Sequence, residues 1–596
     1  MLAALVEMRV AVIARQKCTR EVCGYQCMKI CPGVKMREEV VVVGSDGFPV
    51  IDEQLCSGCG LCVKRCPVNC IKVINLPKER GTPSFQYGPN SFRLYGFPLP
   101  KENSVVGIIG VNGIGKTTAL QLLSGALKPN FGHFARQASL EEIKNEFRGS
   151  ELQAYLEQLG EKKIRVSVKP QYLDKLASAN AGAGELLRKC DETSSFDWLV
   201  QALELAPFLE RRLSELSGGE LQRLAIACAA ARDAQVYFFD EPSSYLDVRQ
   251  RLKAAKAIRS LAQKASVVVI EHDLALFDYL SDYVHVLYGV KGVYGVVSRL
   301  KGSRNGVNEF LDGYLKDENT RFRDYSIRFE CGAPRQFSGK PRYSYSAMKK
   351  TFGANGFELV AEGGGFSDSQ VTGILGPNAV GKSTFVKLLA GVEEPDEGTG
   401  FTEKLSVAYK PQYPSSNFDG TVRQLVSEQK GFDRELFDAE VCNRLEVSEL
   451  LDKQVQKLSG GEMQRLSIAL VLCSEARVKL FDEPSAFLDV EQRLHAADLI
   501  RRIADKTGVP CFVVDHDILF IDRVSDCIIL FDGVPSKKGR ASAPTSLRQA
   551  MNSFLREMDL TFRRDAETGR PRANKKGSQL DVEQREKGEY YYASPE

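Results

Sequence analysis

The sequence predicts an α/β chain in three parts: a small cysteine-stapled domain followed by two P-loop domains of one design. Three observations predict it. The stretch Leu216-Ser-Gly-Gly-Glu-Leu-Gln-Arg223 returns as Leu458-Ser-Gly-Gly-Glu-Met-Gln-Arg465, each copy opening a helical pattern. A glycine-rich loop ending in Gly-Lys-Thr or Gly-Lys-Ser follows a buried apolar run in each half. Nine of sixteen cysteines fall before residue 71, in two runs with metal-ligand spacing.

At 596 residues the chain exceeds one core. Its 43% hydrophobic and 26% charged content are those of a soluble protein, and a net charge of +3 gives no bulk attraction to nucleic acid. No apolar run approaches the roughly 20 residues of a membrane span. Glu7 and Arg9 interrupt a signal-like start, so Arg9 to Ile13 reads as a first strand. Scattered cysteines beyond the metal-type runs imply a reducing compartment. The expected location is the cytoplasm, with the nucleus as a further one.

Residues 1–75 are read as a ferredoxin-like domain. Cys56, Cys59, Cys62 and Cys66-Pro67 form the bacterial ferredoxin run, and Cys18, Cys23, Cys27 and Cys31-Pro32 form a related one. Eight thiolates suit two [4Fe–4S] clusters in which the fourth cysteine of each run serves the other cluster. One cluster therefore takes Cys18, Cys23, Cys27 and Cys66, and the other Cys56, Cys59, Cys62 and Cys31. Zinc is the rival for the first run alone; the second run with its proline favours clusters. Cys70 reads as a buried spare thiol. Leu76 to Asn90, with Pro77, Pro83 and Pro89, reads as an extended connector.

Residues 76–298 and 347–534 are the P-loop domains. Gly110, Asn112, Gly113, Gly115, Lys116, Thr117 and Thr118 form the first phosphate loop. Gly376, Asn378, Gly381, Lys382, Ser383 and Thr384 form the second. Glycines let the backbone wrap a triphosphate, the lysine reaches the outer phosphates, and Thr117 or Ser383 binds Mg²⁺. Ser217, Gly218 and Gly219, like Ser459, Gly460 and Gly461, leave N–H groups uncovered at a helix start, an anion site. A merely Ser-capped helix would explain one copy, not two in matching context.

The spacing shows where the halves differ. Ser217 to Ser459 and Asp240 to Asp482 are both 242 residues, but Lys116 to Gln171 is 55 and Lys382 to Gln412 only 30. The extra segment, about 139–163, reads as two short helices opening at serines and closing at glycines. Gln171 and Gln412 follow Lys-Pro and can sense Mg²⁺ or the attacking water. Asp240-Glu241 and Asp482-Glu483 end buried strands, the aspartate serving Mg²⁺ and the glutamate polarising water. Ser243 to Asp247 and Ser485 to Asp489 come next. His272 and His516, two of only five histidines, end the following strand and are placed to contact a γ-phosphate. Residues 299–346 and 535–596 read as related hinge segments, since Asn308-Glu-Phe-Leu311 resembles Asn552-Ser-Phe-Leu555. From about Ala573 the tail reads as disordered.

With these parts in order, the sequence resembles the ABC-type ATPases, and more narrowly their E subfamily, the RNase L inhibitor or ribosome-recycling ATPases. The resemblance spans the whole chain. It implies twin ABC-type nucleotide-binding domains facing head to tail, with two composite ATP sites. Lys116, Thr117, Gln171, Asp240, Glu241 and His272 would be completed by Ser459 and Gly461; Lys382, Ser383, Gln412, Asp482, Glu483 and His516 by Ser217 and Gly219. Glu241, Glu483, His272 and His516 would be catalytic. Tyr87, with Phe92 beside it, would stack on adenine; Phe352 or Phe357 would do so in the second half. The family splits ribosomes after termination or stalling, with links to initiation and ribosome biogenesis. The implied partners are the ribosome and its small subunit including rRNA, a release factor or Pelota-like factor, and initiation factors, with no membrane. The insertion and hinges would meet rRNA, although the insertion carries more acidic than basic residues. Ala379 stands where glycine is usual; its methyl is tolerable if φ is negative. The rival reading is an iron–sulfur assembly or electron-transfer ATPase. A DNA-repair ATPase would carry long coiled coils, which the sequence lacks.

Overall fold

The computed structural model describes residues 8–76, 81–134, 136–329, 341–353 and 356–591. The first and last strands of the cysteine-rich region, Met8–Ile13 and Ile71–Leu76, pair antiparallel and bring its ends together. Strand side chains alternate between faces, and here the alternation divides two jobs. Ala11 and Ile13 pack with Cys27, Cys56, Cys66 and Ile71. Val10 and Val12 pack on Tyr95, Val293 and Tyr294 of the first P-loop domain. The cysteine domain is therefore docked by the back of its own sheet.

Each P-loop domain is built on a mixed sheet. In the first, five parallel strands run Val166–Lys169, Val236–Asp240, Ser266–Ile270, Val105–Ile109 and Tyr283–Val290. Parallel strands are covered on both faces and so read as unbroken apolar runs; Val105–Ile109 and Val236–Asp240 are buried throughout. Tyr283–Val290 then pairs antiparallel with Tyr294–Val297, beyond which lie Arg93–Tyr95 and Phe85–Gln86. The second domain repeats the order around Val407–Lys410, Val478–Asp482, Cys511–Val514, Val371–Leu375 and Cys527–Val534. This topology collects the phosphate loop, the Asp-Glu pair and the histidine at the carboxyl ends of neighbouring strands.

The insertion is two helices, Leu140–Glu146 and Glu151–Gly160, whose first turns are capped by Ser139 and Ser150. The two expected tethers differ from their reading. Within the connector, residues 77–80 lie outside the described residues, but Phe85–Gln86 is a sheet strand and Asn90 is a clasp. The Asn90 amide donates to Ala11 and Ile51 carbonyls at 3.2 and 2.9 Å, and its side-chain oxygen accepts from Ile51 N–H at 2.7 Å.

The tail expected to be disordered from Ala573 is ordered to Tyr591. It forms the helix Gln579–Glu586, capped by Ser578, and buries Tyr591. Polar bonds rather than apolar mass hold it: Asn574 donates to Thr561 at 2.8 Å, and Thr561 to Asp581 at 2.6 Å. Ahead of it, the hairpin Phe562–Arg564 with Pro571–Ala573 returns to the first P-loop domain. There Arg570, fully buried, meets Asp278 of the helix Leu274–Leu280 at 2.8 Å. The helix Ser303–Asp312 approaches the same hairpin through Arg304 and Asn308, both bonded to Asp565. Arg323 reaches Glu491 of the second domain. The two hinge segments thus knit the halves along one side.

Candidate functional site

At the first phosphate loop Gly115 turns left-handed (φ +100°), and Lys116 opens the helix Lys116–Leu123. Its ammonium donates to the Gly110 and Val111 carbonyls at 2.9 and 3.0 Å. In the second loop Lys382 donates to Gly376 and Pro377 at 3.0 and 2.5 Å. Burial pulls both lysines down, Lys382 to about 8, and nearby carboxylates oppose the shift. Ala379 sits at φ +58°, matching Gly113 at +76°, so the condition under which its methyl costs nothing, a negative φ, is not met. The loop's turn is set by geometry that the alanine must follow, at a cost of about 1–2 kcal/mol.

The Thr117 hydroxyl donates to Asp240 Oδ2 at 3.0 Å, and Ser383 bonds Asp482 likewise. The other oxygen of each aspartate, Oδ1, is buried with no hydrogen-bond partner among the described residues. A hydroxyl and an uncovered carboxylate oxygen are hard donors of the kind Mg²⁺ takes, so the residues fit that ion. Glu241 and Glu483 follow at φ +48° each, and burial raises both carboxyl pKa values, reinforced by the adjacent aspartate. Gln171 donates to Glu241 Oε1 at 2.6 Å, and Gln412 to Glu483 Oε1 at 2.8 Å. His272 Nε2 lies 3.6 Å from Glu241, and His516 Nε2 3.5 Å from Glu483. Burial, aided by neighbouring cations, lowers both imidazoles well below 6.5. They are neutral at pH 7.

The Ser-Gly-Gly-Glu stretches are true helix starts. Ser217 and Glu220 form a capping box ahead of Gly218–Ala230, and Ser459 and Glu462 do so ahead of Gly460–Leu472. A Cβ on Gly219 would stand 2.9 Å from the Tyr245 carbonyl, and one on Gly461 2.9 Å from that of Phe487. Both positions exclude a side chain.

The halves meet where each phosphate loop reaches an aspartate, Asp489 or Asp247, that was given no role from sequence. Asn112 N–H donates to Asp489 Oδ2 and Asn378 N–H to Asp247 Oδ2, both at 2.9 Å. Each phosphate loop is held by the loop that packs on the other half's Ser-Gly-Gly. Arg251 completes the exchange with a bond to the His516 carbonyl at 3.2 Å. The signal was present: Asp247 and Asp489 occupy matching places, 242 residues apart. One cavity of about 2510 Å³ runs between the halves, lined by both phosphate loops and both Ser-Gly-Gly stretches. Tyr87, bonded to Thr118 at 3.0 Å, lines it with Phe92 and Phe357. Phe352 is not among its lining residues.

The cysteines form two groups around separate hollows. Cys18, Cys23, Cys27 and Cys66 line one, together with Cys70; Cys31, Cys56, Cys59 and Cys62 line the other. Cys70 is buried with its sulfur 3.4 Å from that of Cys66. Thiolates in apolar hollows fit iron–sulfur clusters.

The family model described as ABC transporter matches residues 100–244 and 364–486, and that described as 4Fe-4S binding domain matches residues 49–72. The "ABC transporter E family member 1" of Arabidopsis thaliana is 43% identical, covering 98% of each chain. This chain belongs to the ABC E family. It is an ATP-hydrolysing ABC ATPase with a 4Fe–4S domain. It is also 43% identical to the "Translation initiation factor RLI1" of Saccharomyces cerevisiae over 98% of each chain. A solved structure, "Model of ribosome-bound archaeal Pelota and ABCE1", has a TM-score of 0.91 and 48% identity, covering 98% of this chain and 100% of that one. Another E-family structure pairs an archaeal ribosome recycling factor with the ribosomal stalk protein aP1; its TM-score is 0.81 at 50% identity, over 86% of this chain and 99% of that one.

Proposed function

We propose that this E-family chain is an ATP-dependent ribosome recycling factor, splitting ribosomes into subunits after termination or stalling and linked to initiation and ribosome biogenesis. The observation that carries it is the crossed pair Asn112–Asp489 and Asn378–Asp247, which makes each ATP site a property of both halves. Relatives described as Pelota-bound, stalk-bound and initiation factors supply the partner class. The proposed partners are the ribosome with its small-subunit rRNA, a release factor or Pelota-like factor, and initiation factors. The work is cytoplasmic.

In this reading Lys116 and the N–H groups of Gly113 to Thr117 hold the triphosphate, and Lys382 and its loop do so in the second site. Thr117 with Asp240, and Ser383 with Asp482, would hold Mg²⁺, which when bound supplies Lewis-acid polarisation of the outer phosphates. Glu241 and Glu483 accept a proton from the attacking water; burial keeps their carboxylates basic enough for that. Gln171 and Gln412 fix the carboxylate direction. Neutral His272 and His516 each offer an N–H to the terminal phosphate. Ser459 and Gly461 cover the first site, Ser217 and Gly219 the second. ATP drives closure only by binding the closed form more tightly than the open one. Tyr87 and Phe357 are the adenine-facing aromatics.

Two [4Fe–4S] clusters, held by the two cysteine groups above, would staple residues 1–75 into a rigid body. The domain limits stay as proposed: 76–298 and 347–534 for the cassettes, 299–346 and 535–596 for the hinges. Light scattering of purified ribosomes with ATP and a Pelota-like factor tests the function. A fall to the subunit level is expected. Intact ribosomes, with cluster transfer to an acceptor protein instead, would move the chain to the iron–sulfur assembly reading.

A further inference from the structure

Glu241 and Glu483 sit in a left-handed backbone conformation that a glutamate does not choose. Something must hold it there. Lys169, buried at the end of its strand, donates to the carbonyls of Asp240 and Glu241 at 2.8 and 3.2 Å. Gln222, on the helix that begins at Ser217, donates to the same Glu241 carbonyl at 2.7 Å. The second half repeats the arrangement. Lys410 reaches Asp482 and Glu483 at 2.7 and 3.1 Å, and Gln464 reaches Glu483 at 2.5 Å. All four side chains are at most 1% exposed.

We propose that Lys169 and Lys410, with Gln222 and Gln464, are positioning residues that clamp the backbone of the catalytic glutamates and so aim their carboxylates. The inference rests on the reading of Glu241 and Glu483 as the water-activating groups. A neutral amide would satisfy two carbonyls at less cost than a buried ammonium. The lysine, however, bonds both members of the Asp-Glu pair at once, whereas the glutamine in each half bonds only the glutamate carbonyl. With the carbonyls fixed, the side chain leaves the turn toward Gln171 in the first site and Gln412 in the second. The clamp also has a direction. Gln222 rides the helix whose start covers the second ATP site, yet it holds the glutamate of the first. Gln464 does the converse. Seating of Ser-Gly-Gly on one nucleotide is thereby tied to the aim of the glutamate at the other.

The test is a cycle on the full-length protein. Lys169→Met with Lys410→Met, and separately Gln222→Met with Gln464→Met, are each made alone and on top of Glu241→Gln with Glu483→Gln. Single-turnover ATP hydrolysis and ATP retention are measured. The lysine pair should lower hydrolysis about 10-fold or more with retention within a factor of about two, and should add no further loss when the glutamates are already changed. Wild-type hydrolysis, a loss that adds in full to that of the glutamate variants, or a joint loss of hydrolysis and retention would overturn the clamp. If the lysine pair does not fold, the glutamine pair decides by the same readings. Wild-type turnover in the glutamate variants alone would instead sink the catalytic reading on which the clamp stands.

Discussion

At the scale of single residues, backbone strain falls on both proposed catalytic glutamates. Glu241 and Glu483 are left-handed, half-buried and bonded to a glutamine, a setting that preserves basicity and direction together. Changing both to glutamine should cut single-turnover hydrolysis about 10²–10⁴-fold while ATP remains bound. Unchanged turnover would remove them from the reaction. Ala379 gives a smaller, separate test. An alanine at φ +58° carries about 1–2 kcal/mol of strain, against the roughly 0.5–1 kcal/mol entropic cost of glycine. Ala379→Gly should therefore stabilise the second half slightly, by about 0.5 kcal/mol, with hydrolysis intact; thermal unfolding reads it, and a clear loss of stability contradicts it. The phosphate-loop residues were legible because repetition at fixed spacing leaves little else to explain them. The φ of Ala379 was not, because it is imposed by the loop's closure rather than by any local preference.

At the scale of elements, the hinges decide how the halves are held. Asp565 gathers Arg304, Asn308 and Arg572. Burial pushes its carboxyl up, but the backbone N–H groups of Glu567 and Thr568, the Asn308 amide and the Arg304 charge outweigh it and hold it well below the usual range. A folded-state value below the unfolded one contributes stability that is present above about pH 4 and lost as pH falls further toward the folded value. Hydrogen exchange of Ser303–Asp312 and Phe562–Arg564 should therefore quicken as pH drops below about 4, after correction for intrinsic rates. In Asp565→Asn the dependence should vanish; a wild-type profile there would assign the effect elsewhere. Asp565→Ala should cost about 3 kcal/mol by stranding its arginines. Little of this was readable beforehand. The hinge segments read as partly ordered, because phenylalanines recur there with the arginines, but no local signal announces that Arg570 and Asp278 pair across nearly 300 residues of chain. The insertion was readable, since its serines and glycines are local signals.

For the whole molecule, the cysteine domain is anchored to one half and the ATP sites belong to both. Val10 and Val12 pack on Val293 and Tyr294, and Asn90 clasps the strands from below. A body fixed this way moves with the first half when the cassettes close. Its rigidity would rest on the proposed clusters, because so small a segment has little core without metal. Cys62→Ser should lower iron and acid-labile sulfide from the roughly eight of each that two clusters hold. A full complement in that variant would refute the ligand assignment. The central claim is that closure acts on the ribosome through this domain rather than by redox chemistry at it. The most direct measurement removes residues 1–75 and follows, on one preparation, ATP hydrolysis and ribosome splitting by light scattering with a Pelota-like factor. Every proposed ATP-site residue lies beyond the cut, so hydrolysis should persist near the full-length rate while splitting collapses. Splitting at the full-length rate by the truncated protein would contradict the account.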